Sequence, residues 1–235
     1  MRPSFRDPAD YYRVNVTGTD TVLRFAAERG CRRVVLASSS SVYGTNPRRP
    51  WREDDTDLRP ISPYAVSKLA SEHVAEVYAR RDDLSVVALR LFTVYGPRQR
   101  PDLAIRSFAE RIAAGEPLPL FGDGSTIRDY TFVDDIVRGF RAAVDLPLDQ
   151  PMRTINLGAG SPITLLDLVQ SLERALGRGA RIDWQPEQPG DVPATHASIE
   201  RARELLGYQP QVSLDDGVAR FVAWQRELET GRWTH

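Results

Sequence analysis

Two short apolar runs constrain the fold of this chain more than any other feature. They lie at 33–37 and 85–92, contain paired valines, and are separated by the segment 64–80, in which small and apolar residues alternate with polar ones. Such continuous runs indicate strands buried on both faces, and a helix between two of them indicates a βαβ unit. We therefore expect an α/β fold built on a parallel sheet.

Capping residues and glycines predict the helices. Asp7 and Pro8 are typical of a helix start, and Gly30 follows the end of the helix that we predict over 7–28. Two hydroxyl residues, each followed three positions later by Asp, resemble capping boxes with Asp in place of Glu; these are Thr164 with Asp167 and Ser213 with Asp216. The remaining predictions are helices at 64–80, 103–114 and 134–144, a helix between Ser198 and Gly207, strands at 154–157 and 181–185, and a loop over 44–63.

The composition excludes several classes of protein. Of the 235 residues, 41% are apolar and 27% are charged, as in ordinary globular proteins rather than disordered or collagen-like ones. A net charge of −1 gives no reason to expect a nucleic acid or an anionic membrane as partner. The single cysteine, Cys31, excludes an internal disulfide and a cysteine-based zinc site, and the three histidines show no metal-ligand spacing. Because the first ten residues also lack an apolar stretch, we expect a cytoplasmic protein.

Three residues are candidates for proton transfer. Tyr64 and Lys68 are four positions apart on a predicted helix, so they share a face with β-carbons roughly 5–6 Å apart. Lys68 is the only lysine among 31 basic residues, which favours a position where an ammonium rather than a guanidinium is required. Ser39 follows the preceding strand, at the edge where open α/β sheets bind ligands. The alternative is a chance pair of surface residues.

Four segments of the chain carry a more specific signal. They are 37–44 (ASSSSVYG), 62–68 (SPYAVSK), 90–98 (RLFTVYGPR) and 128–135 (RDYTFVDD). In this order they resemble the motifs of extended short-chain dehydrogenase/reductases, the NAD-dependent nucleotide-sugar epimerases and dehydratases. The resemblance covers essentially the whole chain. It implies an incomplete Rossmann-type doubly wound parallel sheet with a smaller C-terminal α/β substrate lobe. Residues 1–95, joined by segments around 128–160, would form the NAD-binding domain, and 96–235 mainly the substrate lobe.

The resemblance implies roles for individual residues. Tyr64 would take the proton of a sugar hydroxyl, Ser39 would hydrogen-bond the reacting oxygen, and Lys68 would contact the nicotinamide ribose of NAD. Cofactor contacts are implied at Asn15, Ser38, Tyr64, Lys68 and Phe92, and substrate contacts at Ser40, Ser41, Thr93, Arg100, Arg128 and Asp191. An exposed ion pair with Lys68 contributes only about 0.2–1 kcal/mol, which is too little to deprotonate a tyrosine near neutral pH. We therefore expect Tyr64 to be activated only when NAD is bound.

The resemblance also favours one reaction. Dehydratases and decarboxylating relatives carry acidic residues where this chain has Ser40 and Ser41, so no carboxylate is available there to assist elimination. Thr93 and the segment 98–102 (RQRPD) are similar to UDP-glucuronate 4-epimerases, and Arg100 is either a bidentate partner of a sugar carboxylate or a solvated loop residue. We expect a 4-epimerase of the UDP-glucuronate or UDP-glucose type. An enzyme for another nucleotide sugar is an alternative. The family's common mode of dimerisation predicts a homodimer through the helices that contain Asn15 and Tyr64.

One part of the family pattern does not occur in the sequence. A dinucleotide fold uses a first strand, a Gly-rich turn and an acidic residue about 20 positions later. The glycines of 158–160 lack this fingerprint and predict a structural turn. We expect the chain to be a fragment of an active epimerase, lacking roughly 70–90 residues, that binds NAD weakly by itself. The alternative is a non-catalytic protein that binds sugar nucleotides. The reading frame upstream of Met1 distinguishes the two, since a Gly-rich turn there favours the enzyme and an in-frame stop favours the binding protein.

Overall fold

The computed structural model of the protein describes residues 2–147, 149–187 and 192–230. Helices and strands alternate along most of the chain. The helices are α1 (Pro8–Tyr11), α2 (Gly18–Glu28), α3 (Pro63–Arg81), α4 (Ala104–Ala114), α5 (Val133–Val144), α6 (Leu165–Leu176), α7 (Glu200–Leu206) and α8 (Leu214–Glu229). The strands are β1 (Arg33–Ser39), β2 (Ser85–Leu91), β3 (Thr93–Tyr95), β4 (Pro117–Phe121), β5 (Ile127–Arg128), β6 (Tyr130–Phe132), β7 (Met152–Leu157), β8 (Ile163–Thr164) and β9 (Arg181–Gln185).

A three-stranded parallel sheet in the order β1-β2-β7 positions the site. Its strands carry apolar residues on both faces, because helices cover both. Leu23, Ala75 and Val86 belong to a cluster that packs α2 and α3 on one face, while Val87 and Ile136 belong to a cluster that packs α5 on the other. The predicted α/β fold, with a parallel sheet wound on both sides, is confirmed. Since all three strands run in one direction, their carboxyl ends meet at one edge.

Three two-stranded sheets lie outside the central one. They are the parallel pairs β3-β6 and β4-β9 and the antiparallel pair β5-β8. A further apolar cluster joins these pairs to α4, α6 and α8, with the aromatic rings of Tyr95, Phe132 and Phe221 inside it. The strand Thr93–Tyr95 continues the path of β2, so it carries residues from the edge of the central sheet toward this second cluster.

The first helical region contains a feature that the sequence did not predict. Asp7 caps it as expected, because its carboxylate accepts the N–H of Asp10. Between α1 and α2, however, residues Tyr12–Thr17 form a π-helical segment. Segments of this kind are frequent at functional sites. Asn15 lies in its middle and donates from its side-chain amide to Ser67 Oγ on α3 at 2.9 Å.

Most predicted helix boundaries agree with the structure, and one cap is wrong. Thr164 and Asp167 form the reciprocal capping box, and the Ser213 hydroxyl accepts the N–H of Asp216. The residue before α7 is Ile199 rather than Ser198. Ser198 lies outside the helix because its N–H donates to the carbonyl of Trp51, which keeps it bridged to the predicted loop. In the described ranges, none of the helices is both long and apolar enough to cross a membrane.

Candidate active site

Two neighbouring cavities open at the carboxyl ends of β1 and β2. The larger, of about 420 Å³, is lined by Ser38, Ser39, Tyr64, Leu91, Phe92, Thr93, Val94, Gln99, Leu103, Ala104, Ile105, Arg128 and Tyr130. The smaller, of about 90 Å³, is lined by Ser40, Ser41, Gly44, Trp51, Ile61, Thr93, Arg128, Val192 and Thr195. Both share Thr93 and Arg128, so the two spaces adjoin. Of the residues predicted from the sequence, the structure thus places eight around one continuous region.

The turn after β1 fixes the serines. Ser39 is the N-cap of a 3-10 turn over Ser40–Val42, and its Oγ accepts the N–H of Ser41 at 3.2 Å. The same hydroxyl lies 3.0 Å from Ser41 Oγ. Ser38 precedes it on the strand and points the other way, since its hydroxyl donates to Glu72 on α3. The alternation of a strand therefore separates two neighbouring serines, one bound to the helix and one to the turn.

Tyr64 and Lys68 lie on the first two turns of α3, which Ser62 caps by accepting the N–H of Ala65 at 3.1 Å. Tyr64 lines the larger cavity, and its ring meets that of Tyr11 edge-on, with centroids 6.0 Å apart. Lys68 Nζ donates to the carbonyl of Ala37 at 3.0 Å. Burial lowers the pKa of Lys68, because the half-buried ammonium loses water. The predicted serine, tyrosine and lysine therefore converge on the end of β1.

Between the cavity residues Arg128 and Tyr130 lies Asp129, which is completely buried. Its carboxylate accepts the N–H groups of Ala159 at 2.7 Å, Gly160 at 3.2 Å and Ala197 at 3.0 Å. Burial raises the pKa of Asp129 despite these hydrogen bonds. The turn at 158–160 is therefore structural, as predicted, because the amides that could face a phosphate already bind this carboxylate.

Two predicted residues lie elsewhere, and a third lies outside the described residues. Asn15 joins the π-helical segment to α3, where its carbonyl also accepts the hydroxyl of Ser71 at 2.8 Å. Arg100 lines neither cavity; its exposed guanidinium makes two hydrogen bonds to Asp102, at 3.1 and 3.0 Å. Asp191 lies outside the described residues.

The cavity residues fit the reactive end of NAD. Among the described residues that line the larger cavity none is acidic, and hydroxyl groups, Gln99 and Arg128 line a space otherwise walled by apolar residues. Hydroxyl and ammonium donors suit ribose oxygens, and a guanidinium suits phosphate. Sequence reasoning missed Gln99, Leu103, Ile105 and Tyr130, which come from a loop, a helix and a strand that carry no local signal of ligand contact.

Comparison with known proteins agrees with this geometry. The sequence model of the NAD dependent epimerase/dehydratase family matches residues 1–158. The chain is 38% identical to the UDP-glucuronate 4-epimerase of Thermodesulfobacterium geofontis (strain OPF15), over 97% of this chain and 69% of that protein.

Two solved structures are similar to the fold. MoeE5, in complex with UDP-glucuronic acid and NAD, superposes with a TM-score of 0.91 and 37% identity, covering 96% of this chain and 75% of that one. The UDP-glucuronic acid 4-epimerase from Bacillus cereus, in complex with UDP-glucuronic acid and NAD, gives a TM-score of 0.85 and 35% identity, covering 91% and 68%. MoeE5 has also been solved with UDP-glucose and NAD. Family match, sequence identity and cavity together show that this chain belongs to the NAD-dependent epimerase/dehydratase family.

Proposed function

We propose that the chain is a nucleotide-sugar 4-epimerase of the UDP-glucuronate or UDP-glucose type, with Tyr64 as the base at carbon 4. The observation that carries this proposal is the cavity that brings Ser39 and Tyr64 together at the carboxyl ends of β1 and β2. The named activities and ligands of the similar proteins support the same assignment.

The proposed mechanism gives each of three side chains a separate role. The Tyr64 phenolate takes the proton of the carbon-4 hydroxyl, and Ser39 holds that oxygen by a hydrogen bond. Lys68, bound to the carbonyl of Ala37 at 3.0 Å, keeps a positive charge one helical turn from the phenolate. Bound NAD supplies a reversible hydride acceptor at carbon 4. After the sugar ketone turns over in the cavity, Tyr64 returns the proton to complete the inversion.

The smaller cavity supports epimerisation rather than elimination. Ser40 and Ser41 line it, and none of its described lining residues is acidic. Elimination requires a group that removes a carbon-bound proton, which serine hydroxyls do not do by themselves. Arg128 reaches both cavities, and we propose that it binds the pyrophosphate of the substrate. We propose that residues 1–95 mainly hold the cofactor and that 96–235 mainly hold the sugar nucleotide.

The test is a product analysis. The 235-residue protein is incubated with NAD at millimolar concentration and separately with UDP-glucuronate, UDP-glucose and UDP-N-acetylglucosamine, and the products are separated by chromatography. We expect the carbon-4 epimer of UDP-glucuronate or UDP-glucose. The Tyr64→Phe variant should form it about 10²–10⁴-fold more slowly, because the general base is lost. Absence of an epimer from all three sugars contradicts the proposal.

We also propose a homodimer that forms through α2 and α3. Large apolar side chains remain exposed on these helices, among them Val22 at 60%, Phe25 at 56% and Val77 at 60%. Side chains of this size are expected to be covered in an assembly. The proposed compartment is the cytoplasm, where the exposed free thiol of Cys31 would stay reduced.

A further inference from the structure

A row of buried polar residues crosses the central sheet just before the candidate site. Ser38 on β1 is in register with Arg90 on β2, and Arg90 is in register with Asn156 on β7. All three are at most 4% exposed. Polar residues at matching positions of three buried strands are unusual, because such strands are normally apolar. The row therefore calls for a physical explanation.

Glu72 of α3 completes this row from the helix side. Its Oε2 accepts Arg90 Nη2 at 2.8 Å, and its Oε1 accepts both Arg90 Nε, at 3.0 Å, and the hydroxyl of Ser38. Glu72 follows Tyr64 and Lys68 at intervals of four residues, so the three side chains lie along one face of α3. One carboxylate thus connects the helix of the candidate base to two strands.

The network continues from Arg90 toward the substrate side. The guanidinium carbon of Arg90 lies 4.8 Å from the ring centroid of Tyr43, and the Tyr43 hydroxyl donates to Asn156 Oδ1 at 2.8 Å. Burial raises the pKa of Tyr43 to about 12, so this hydroxyl keeps its proton. Asn156 in turn donates from Nδ2 to the carbonyl of Trp51 at 2.9 Å, and Trp51 lines the smaller cavity.

We propose that Glu72 is a positioning residue that fixes the distance between Tyr64 and Ser39. Glu72 itself lines neither cavity, so it acts through Ser38 and Arg90 rather than on a ligand. Two contacts set the spacing between α3 and the end of β1: Ser38 to Glu72, and Lys68 Nζ to the carbonyl of Ala37. This inference rests on the proposed function for its consequence in catalysis.

The choice of an ion pair at this place supports a positioning role. Buried ion pairs contribute little to stability compared with apolar residues of the same size, but their hydrogen bonds define one geometry. Apolar side chains in the place of Glu72 and Arg90 would lack the three hydrogen bonds by which Glu72 joins α3 to β1 and β2. A misplacement of about 1 Å between reacting groups is enough to lower a rate about 100-fold.

The test compares Ser38→Ala, Glu72→Gln and the double variant with the wild-type protein. Ser38→Ala breaks the link to β1 and leaves the Glu72–Arg90 pair in place, so it does not expose an unpaired buried charge. In each variant we expect kcat to fall about 10- to 100-fold while KM stays within about twofold. The reason is that Tyr64 and Ser39 are misplaced relative to each other and no substrate contact is lost. We also expect the acid limb of the kcat–pH profile to move, since the base and its partners have shifted.

The double variant distinguishes positioning from a direct cofactor contact of Ser38, which itself lines the larger cavity. If Ser38 and Glu72 act through the hydrogen bond between them, kcat of the double variant is no lower than that of the less active single variant. Multiplicative effects of the two substitutions overturn the proposal.

Asp135→Asn is the matched control for stability. Asp135 is a buried carboxylate on α5 that accepts the N–H groups of Gln211 at 2.8 Å and Val212 at 3.2 Å and contacts Arg138. Its loss should lower the melting temperature while the kcat–pH profile stays that of the wild type. If the kcat–pH profile changes as much in Asp135→Asn as in Glu72→Gln, the effect at Glu72 is one of general stability and the proposal is overturned.

Hydrogen–deuterium exchange provides a readout that needs no activity. Ser38→Ala and Glu72→Gln should speed exchange in residues 36–43 and 63–72 together, whereas Asp135→Asn should speed it in 133–144. Unchanged exchange in 36–43 overturns the positioning role. If the wild-type protein forms no epimer but the exchange result holds, the proposed function fails and the positioning of β1 against α3 stands.

Discussion

At the scale of single residues, a buried carboxylate makes folding depend on pH. The side chain of Glu53 is 4% exposed, and its Oε1 accepts the N–H of Asn156 at 2.8 Å. Burial raises the pKa of Glu53, because loss of water outweighs the hydrogen bond from Asn156 and the attraction of Arg201 and Arg90. A raised folded-state pKa means that the folded protein binds the proton more tightly than the unfolded chain does.

Glu53→Gln is therefore expected to change the pH dependence of stability. In the wild type, the contribution of Glu53 is present below its unfolded pKa of about 4.3 and is lost as the pH rises through its raised folded pKa. Glutamine does not titrate, and its amide oxygen can still accept the N–H of Asn156. The free energy of unfolding of the variant, relative to the wild type, should thus increase between pH 4 and pH 7, as measured by urea denaturation.

The exposed neighbour Asp54 provides the comparison for this measurement. Because Asp54 is exposed, Asp54→Asn should not reproduce this increase over the same range. A Glu53→Gln curve parallel to that of the wild type would show that burial of Glu53 does not oppose its ionisation.

Residues at the strand ends and on one face of α3 could be predicted from the sequence, whereas the residues that hold them in place could not. The spacing of Tyr64 and Lys68 and the position of Ser39 predicted residues that the structure places around the end of β1. Their chemical roles stay predictions. The same spacing, extended by four residues, leads to Glu72, but its partner Arg90 depends on strand register, which a single sequence does not define. The motif at 98–102 predicts a substrate contact at Arg100, whereas the pairing of Arg100 with Asp102 depends on the geometry of the loop, which the motif does not define.

At the scale of elements, the packing of α8 on the pair β3-β6 depends on a glycine. Gly217 lies in α8 and is buried. A β-carbon there would come within 2.9 Å of Phe132 Cδ2 and would collide with the hydroxyl of Tyr95. Both rings belong to the apolar cluster behind the cavity wall, so neither can move freely.

Gly217→Ala should destabilise the protein despite the better helix propensity of alanine. Overpacking typically costs about 1–3 kcal/mol, which exceeds the roughly 1 kcal/mol that alanine gains over glycine in a helix. We expect a lower denaturation midpoint in urea with an unchanged m-value. Gly18→Ala in α2 is the matched control, because its β-carbon would meet only the carbonyl of Arg13 at 3.9 Å. It should be neutral or stabilising, and an equal loss in both variants would contradict the packing argument.

Elements with a continuous pattern or a cap were predictable, and very short ones were not. β1, β2, α3 and α6 follow apolar runs and capping residues, and the structure confirms them. The two- and three-residue strands β3, β5, β6 and β8 carry too few residues to show a period, and they exist because distant segments pair with them. The π-helical segment at Tyr12–Thr17 likewise has no local pattern in the sequence, and Asn15 within it hydrogen-bonds Ser67 and Ser71 of α3.

At the scale of the whole molecule, two helices present apolar side chains that the described chain does not cover. Val22 and Phe25 lie one turn apart on α2, at 60% and 56% exposure, and Val66 and Val77 are exposed on α3. The central sheet organises this surface, because α2 and α3 pack together on one of its faces. The family resemblance predicts that the helices containing Asn15 and Tyr64 form a dimer interface, and this stays a prediction. The exposed side chains of these helices could be identified only once their inner faces were known.

Phe25→Glu should dissociate the proposed homodimer. In a twofold interface each substitution occurs twice, so two carboxylates would have to be buried where two rings had packed. We expect a loss of at least about 2 kcal/mol of association energy, which raises Kd roughly thirtyfold. Static light scattering across a dilution series measures this change. Val137→Glu on α5, which replaces a side chain of 59% exposure away from α2 and α3, is the control and should keep the mass of the wild type. A wild type that is monomeric at every concentration would contradict the proposed homodimer. Equal dissociation of both variants would contradict an interface on α2, because the added charge and not its position would then decide the outcome.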